Sequence, residues 1–213
     1  MTVSKHFFLI AGERSGDIHG GMLMRSILKI DPGCRFTGIG GPSMEAQGLK
    51  SLFPINKMAV VGFVEVIKHL FFFSKLINKV IREIKAVDII QIILIDYPGF
   101  NLRLAKKIKK HFNIPITYYI SPQLWAWKEG RIEIIRKCID QMLVIFPFEE
   151  NWYKKRGIKA KFVGHPIFDE WTPTPKRELC NSLGLNPNNP ILTLFPGSRK
   201  HELDRHLPIL IQV

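Results

Sequence analysis

The chain has 213 residues, 46% of them hydrophobic, with 16 glycines, 14 prolines and three cysteines, and a formal charge of +13 at neutral pH. That composition suits a globular α/β-sized core, and the wide spacing of Cys34, Cys138 and Cys180, with no C-x-x-C pair, argues against a disulfide framework or a cysteine zinc site and for a reducing compartment. No apolar run approaches the roughly 18 residues of a membrane-crossing helix, the first apolar stretch stops at Glu13, too early for a signal peptide, and the positive charge leaves three anionic partners open: nucleic acid, a membrane surface or a phosphorylated substrate.

In chain order, short runs rich in Ile, Val and Phe predict strands at Phe7 to Ala11, Arg35 to Ile39, Ile89 to Ile95, Ile116 to Ile120, Gln141 to Ile145, Lys161 to Val163 and Ile191 to Phe195. Amphipathic segments predict helices at Asp17 to Ile30, Phe63 to Lys85, Asn101 to Phe112, Glu129 to Lys137, Glu149 to Arg156 and Lys176 to Leu183. Strands alternating with helices imply a Rossmann-like, doubly wound, mainly parallel α/β sheet. Prolines thicken between Pro166 and Pro190, and LTLF followed by PGSR starts a fresh strand-to-helix pattern. Residues 1–186 are therefore expected to form a first domain and 187–213 the beginning of a second Rossmann-like domain. A domain of usual size needs on the order of 100 further residues, so the chain is expected to be a fragment.

In such sheets ligands gather at the carboxyl ends of the strands, which directs attention to four loops. The first, GERSGD, follows strand one where a phosphate loop would sit. Its glycines are Gly12 and Gly16 rather than a G-x-G-x-x-G set, and Glu13 and Asp17 would repel a phosphate. Asp17 is expected to cap a helix, while nothing about a turn requires Glu13 or Ser15. The second, DYPGFN, ends the apolar strand IIQIILI in Asp96, where desolvation would raise a carboxyl pKa towards the range of a general base. Bonding of Asp96 to the turn at Pro98 and Gly99 is an equally good reading. The third, SPQLWAWKEGR, offers Gln123, Trp125 and Arg131; its tryptophans suit either a sugar- or acyl-contacting wall or core packing. The fourth, FPGSRKHE, brings free amides, a helix dipole and Arg199 to one point and suits a diphosphate, although an ordinary capped helix has the same pattern.

The helix from Phe63 has a spacing that buries Val66, Ile67, Leu70, Phe71, Ile77, Ile81 and Ile84. Phe72 and Leu76 fall opposite that stripe beside Lys68, Lys75 and Lys79. With the crowding of Leu70, Phe71, Phe72 and Phe73, this favours a membrane- or acyl-contacting face over a core helix with one exposed ring. Arg103, Lys106, Lys107, Lys109 and Lys110 form a second basic face. No aromatic-interleaved nucleic-acid motif accompanies it, so no nucleic-acid partner is expected.

The segments AGERSGDIHGG, FTGIGGPSMEAQG, MAVVGFVEVIKHL, DYPGFN, ISPQLWAWKEGR, FPFEENWY, FVGHP and FPGSRKHELDRHLPIL resemble, in order along the whole chain, the lipid-A-disaccharide synthase family of glycosyltransferases. The resemblance implies a GT-B fold, two Rossmann-like domains across a cleft, with the acceptor on the first and a UDP-sugar on the second. It implies inverting transfer of diacylglucosamine from UDP-diacylglucosamine to diacylglucosamine 1-phosphate in lipid A and lipopolysaccharide biosynthesis, with release of UDP. Carried onto this sequence, Asp96 is the expected base and Glu13, with Ser15, lines the acceptor side. Asn101, Gln123, Trp125 and Arg131 are expected substrate contacts, and Gly197, Ser198 and Arg199 would face the diphosphate. Arginine and a helix terminus can meet the leaving charge, so neither a metal nor another cofactor is implied. Lys68, Leu70, Phe71, Phe72, Phe73 and Lys75 would meet the inner membrane of a Gram-negative bacterium from its cytoplasmic side. The chain alone is expected to be inactive. Another GT-B enzyme of sugar-nucleotide metabolism, or a non-catalytic membrane- or partner-binding fragment, are the other readings the residues allow.

Overall fold

The computed structural model describes residues 5–59, 66–127, 129–198 and 200–212, and within its helices the side chains of 57, 59, 66–71 and 201 also lie outside the described set. The chain divides into two compact units, Met1–Glu170 and Trp171–Val213. The first is built on a seven-stranded sheet: β1 (His6–Ala11), β2 (Arg35–Gly40), β3 (Leu49–Pro54), β4 (Gln91–Ile95), β5 (Ile116–Tyr119), β6 (Gln141–Val144) and β7 (Ala160–Phe162). Its order is β3-β2-β1-β4-β5-β6-β7 and every neighbouring pair is parallel. The chain reverses its direction of winding between β1 and β4, the switch point at which doubly wound sheets open a crevice.

Central strands are apolar on both faces because both faces are covered. Phe8 and Ile10 point into one core with Leu94, Phe100, Leu104 and Tyr118. Leu9 and Ala11 point into the other with Met24, Met44 and Ile95. The second core is closed by α1 (Arg14–Ile30) and α2 (Pro42–Glu45), and the first by α4 (Val66–Ala86), α5 (Pro98–His111), α6 (Ile132–Cys138) and α7 (Pro147–Lys154). Two short helices, α3 (Asn56–Ala59) and α8 (Ile167–Glu170), complete the unit.

The strands through β7 follow the pattern read from the sequence, but β3 does not, because LKSLFP interrupts its apolar residues with Lys50 and Ser51 and ends in proline. Missing β3 also misplaces the face of α4. Leu76 is only 4% exposed and joins Ile77, Val80 and Ile84 inside. Phe72 is half-buried against Phe53 of β3, at 5.4 Å between centroids, and Phe73 packs edge-on to Phe100 at 5.3 Å. The inward stripe of the described part of α4 therefore includes the residues expected to face outward, since a strand stands there to receive them. The expected helix start at Phe63 lies outside the described residues.

The second unit holds α9 (Lys176–Ser182) and α10 (Lys200–Ile211). The expected strand Ile191 to Phe195 is not formed. Among the described residues of this unit no strand exists to pair with it, and Leu192 and Phe195 stand 79% and 87% exposed.

Candidate active site at the carboxyl edge of the sheet

At the switch point the ends of β1 and β4 are neighbours, with Ala11 in register with Ile95. Glu13 caps α1 in an extended conformation without a side-chain cap bond, and Asp96 follows Ile95 directly. Two loops 83 positions apart in sequence are thus one site. Burial first, and the Glu13 charge second, together raise the Asp96 carboxyl from 3.8 to about 6 against the opposing hydrogen bond from the Tyr97 amide. The Tyr97 phenol is likewise pushed up by burial and by Glu13.

The backbone here is held in an unusual state. Asp96 and Tyr97 both have left-handed φ, 44° and 46°, and Ile120 at the end of the adjacent strand has φ 64°. Non-glycine residues in that region cost on the order of 1–3 kcal/mol each and persist where surroundings enforce them. The enforcing contacts are visible. Tyr118, fully buried, donates its hydroxyl to the Asp96 carbonyl at 2.6 Å, and Asn101 Nδ2 donates to the Asp96 and Ile95 carbonyls at 2.8 and 3.1 Å. The Tyr97 ring lies so close over Gly12 that a Cβ there would fall 2.1 Å from it, so GERSGD and DYPGFN interlock through a glycine. Asn101 is wholly buried and acts on the turn from beneath.

Asp17 is structural, as expected, but for a neighbouring element. Its carboxylate accepts from the amides of Gly41, Ser43 and Met44 at 2.7, 3.0 and 3.1 Å and so caps α2, not its own helix. Ser15 and Arg14 are exposed at the start of α1. Beside them a cavity of about 400 Å³ is lined by Arg14, Ile18, Pro42, Ser43 and Asn56.

Along the edge, the SPQLWAW segment is organised by a residue that sequence reasoning missed. Glu149 of α7 is 1% exposed and accepts from Ser121 Oγ at 2.7 Å, Trp125 Nε1 at 3.2 Å and the Phe146 amide at 3.1 Å. Its signal was the FPFE sequence, which places an acid at the third helical position, able to reach back to its own helix start. Trp125 remains 39% exposed, with its ring edge-on to Phe148 at 5.1 Å. Gln123 is exposed and Arg131 is half-exposed in a 3-10 turn, Glu129–Arg131. The Trp125 indole is thus fixed through its Nε1 while more than a third of the residue stays open to solvent. Two histidines also went unread: His19 and His165 meet edge-on at 6.2 Å, and burial, with the His165 charge, lowers the pKa of His19.

In the second unit Gly197 has φ 111°, and the Ser198 amide donates to Glu202 Oε2 at 2.9 Å. The chain's own carboxylate therefore stands at the start of α10, where an anion from outside would need to take its place. Arg199 lies outside the described residues. Of the residues expected to meet a membrane, Phe72, Phe73 and Lys75 are described, whereas the side chains of Lys68, Leu70 and Phe71 are not. Among the described residues no helix is long and apolar enough to cross a membrane.

An all-parallel Rossmann-like domain with a raised carboxyl at its topological switch point belongs to the class that binds ligands at the carboxyl edge of the sheet. The family model described as lipid-A-disaccharide synthetase matches residues 7–213, and the chain belongs to that family. It is 42% identical over 212 residues to the lipid-A-disaccharide synthase of Geobacter sulfurreducens, covering 99% of this chain and 55% of that protein. It is 43% identical over 212 residues to lipid-A-disaccharide synthase 1 of Legionella pneumophila strain Lens, covering 99% and 55%. With the Coxiella burnetii Dugway enzyme it shares 40% over 210 residues, covering 98% and 56%. The chain spans about half the length of these curated relatives.

Proposed function

We propose that this chain supplies the acceptor half of a lipid-A-disaccharide synthase with a GT-B fold, whose donor half begins at about residue 187. The reaction is inverting transfer of diacylglucosamine from UDP-diacylglucosamine to the free hydroxyl of diacylglucosamine 1-phosphate, with release of UDP. The observation that carries the reading is Asp96, a carboxyl raised to about 6 at the switch point. Such a group is ionised at neutral pH yet basic enough to take a hydroxyl proton as the C–O bond forms. Glu13, whose charge acts on Asp96, and Ser15, two residues on in the same loop, offer partners for sugar hydroxyls. The exposure of Trp125, with Gln123 and Arg131, supports an acceptor wall further along the edge.

On the donor side, Gly197, Ser198 and Arg199 would meet the diphosphate once Glu202 is displaced. The apolar and basic composition of α4 supports contact with the cytoplasmic face of an inner membrane, where both acylated substrates reside.

Residues 1–213 on their own are expected to show no turnover. Joined to the carboxyl-terminal half of the Geobacter sulfurreducens relative, they should release UDP from UDP-diacylglucosamine and diacylglucosamine 1-phosphate. Asp96→Asn in that protein should lower kcat by about 10²–10⁴-fold, the usual range for a general base. Turnover within a few-fold of the parent would remove Asp96 from the chemistry.

A further inference from the structure

Between α4, α5 and the last residues of β3 runs a groove of about 930 Å³. Its floor is apolar, made by Phe53 of β3 with Phe72, Leu76 and Ile81 of α4. Its rim is cationic: Lys75 and Arg82 rise from α4, and Lys107 from α5. Lys79, also on the rim, donates to the Leu52 carbonyl at 2.8 Å and fixes α4 to β3. No acidic side chain lines the groove, and among the described residues no ion pair engages Lys75, Arg82 or Lys107. A smaller cavity of about 240 Å³ shares Asn78 and Lys107 with it and extends the basic border to Arg103.

The two halves of this lining ask for one kind of ligand. A small hydrated anion gains nothing from four apolar side chains, and a neutral acyl chain gains nothing from a ring of cations. An amphiphile with an anionic head uses both, burying methylenes on the floor while its phosphate meets the amines and the guanidinium. The charge of the whole chain, +13, draws such a ligand from a negatively charged leaflet.

We propose that this groove holds one anionic lipid of a membrane leaflet, with an acyl chain along Phe53, Phe72, Leu76 and Ile81 and its phosphate among Lys75, Arg82 and Lys107. The proposal rests on the membrane contact inferred above and narrows it from a surface to a site for a single lipid. None of Glu13, Asp96 and Tyr97 lines the groove, although its Phe72 ring reaches the Tyr97 ring through Phe73.

The test uses the 213-residue chain and short-chain phosphatidylglycerol below its micelle concentration, followed by native mass spectrometry and titration calorimetry. One lipid should bind per chain. Lys75→Glu, Arg82→Glu and Lys107→Glu together should weaken it by about tenfold or more, given roughly 1 kcal/mol per basic residue near a phosphate. Phe72→Ser should weaken lipid binding as well, with the thermal melt of each variant reported beside it. Equal affinity for short-chain phosphatidylcholine, unchanged affinity in the charge-reversed chain, or displacement of the lipid by an acidic peptide at equal concentration would each overturn the proposal. Sedimentation with phosphatidylglycerol vesicles separates the two levels. Vesicle binding without stoichiometric short-chain binding removes the groove and leaves membrane contact standing, whereas loss of both removes the two together.

Discussion

At the scale of single residues, Asp96 joins function to instability. Its carboxyl titrates near 6 in the fold against 3.8 as its ordinary value, so the folded state binds that proton more tightly than the unfolded state does. The resulting stabilisation is complete below about pH 4, is lost as pH rises through 6, and is gone at neutral pH, where the ionised group stands desolvated beside Glu13. A shift of about two units corresponds to roughly 3 kcal/mol. Asp96→Asn removes the charge and keeps the shape, so it should raise stability at pH 7.5 by about 1–3 kcal/mol and change it little at pH 4. Urea melts of both proteins at the two pH values would check this; an equal effect at both would show that charge burial is not the cause. The apolar run before Asp96 announced the desolvation. The contribution of Glu13 was not legible, because it depends on β1 and β4 being neighbours, and that adjacency is a property of strand order rather than of either loop.

Between elements, the glycine- and acid-rich loop after β1 serves as a connector as much as a site. Asp17 leaves α1 to hold the first amides of α2, and Gly12 leaves room for the Tyr97 ring. Asp17→Ala strands three amide donors around a site that is 2% exposed, and should cost about 2–4 kcal/mol by the usual penalty for losing charge-assisted bonds. Asp17→Asn retains the oxygen that serves Gly41 and Met44 and should cost less than half as much. A chemical-denaturation series would separate this from a catalytic effect, since a purely catalytic Asp17 would leave both midpoints unmoved. Gly12→Ala should act at a distance, displacing Tyr97 and with it the strained turn; a fall in the Tyr97 ring's protection from solvent, read by fluorescence quenching, would report it. Sequence pattern gave an acid near a helix start and assigned it to the nearer helix. The farther one, PSME, is four residues long and too short to show any periodicity. A different limit hid β3, whose apolar residues are interrupted by Lys50 and Ser51 and end in proline, and through β3 the true inward face of α4.

For the molecule as a whole, the two units differ in how far their sequence is satisfied by what surrounds it. Every strand of the first has a parallel neighbour, and its two cores are continuous. In the second, ILTLF reads as a strand and yet pairs with no strand among the described residues, because the pattern records only the residues' own preference while strand formation needs hydrogen bonds from another chain segment. Apolar residues that a sheet would cover, Leu192, Leu194 and Phe195, remain exposed. Local opening is easiest where few apolar contacts and few shielded backbone bonds resist it. Trypsin should therefore cut first in the second unit, after Lys176, Arg177 or Lys200, and leave a resistant piece ending near Glu170 that melts cooperatively. In the joined protein with the Geobacter sulfurreducens half, new strands would pair with ILTLF, and cleavage after Lys200 should slow at least tenfold, as expected for about 1.4 kcal/mol of added protection against local opening. Equal cleavage rates in both proteins would mean that this segment gains no partner from the other half, and the proposed donor domain beginning at about residue 187 would have to be given up.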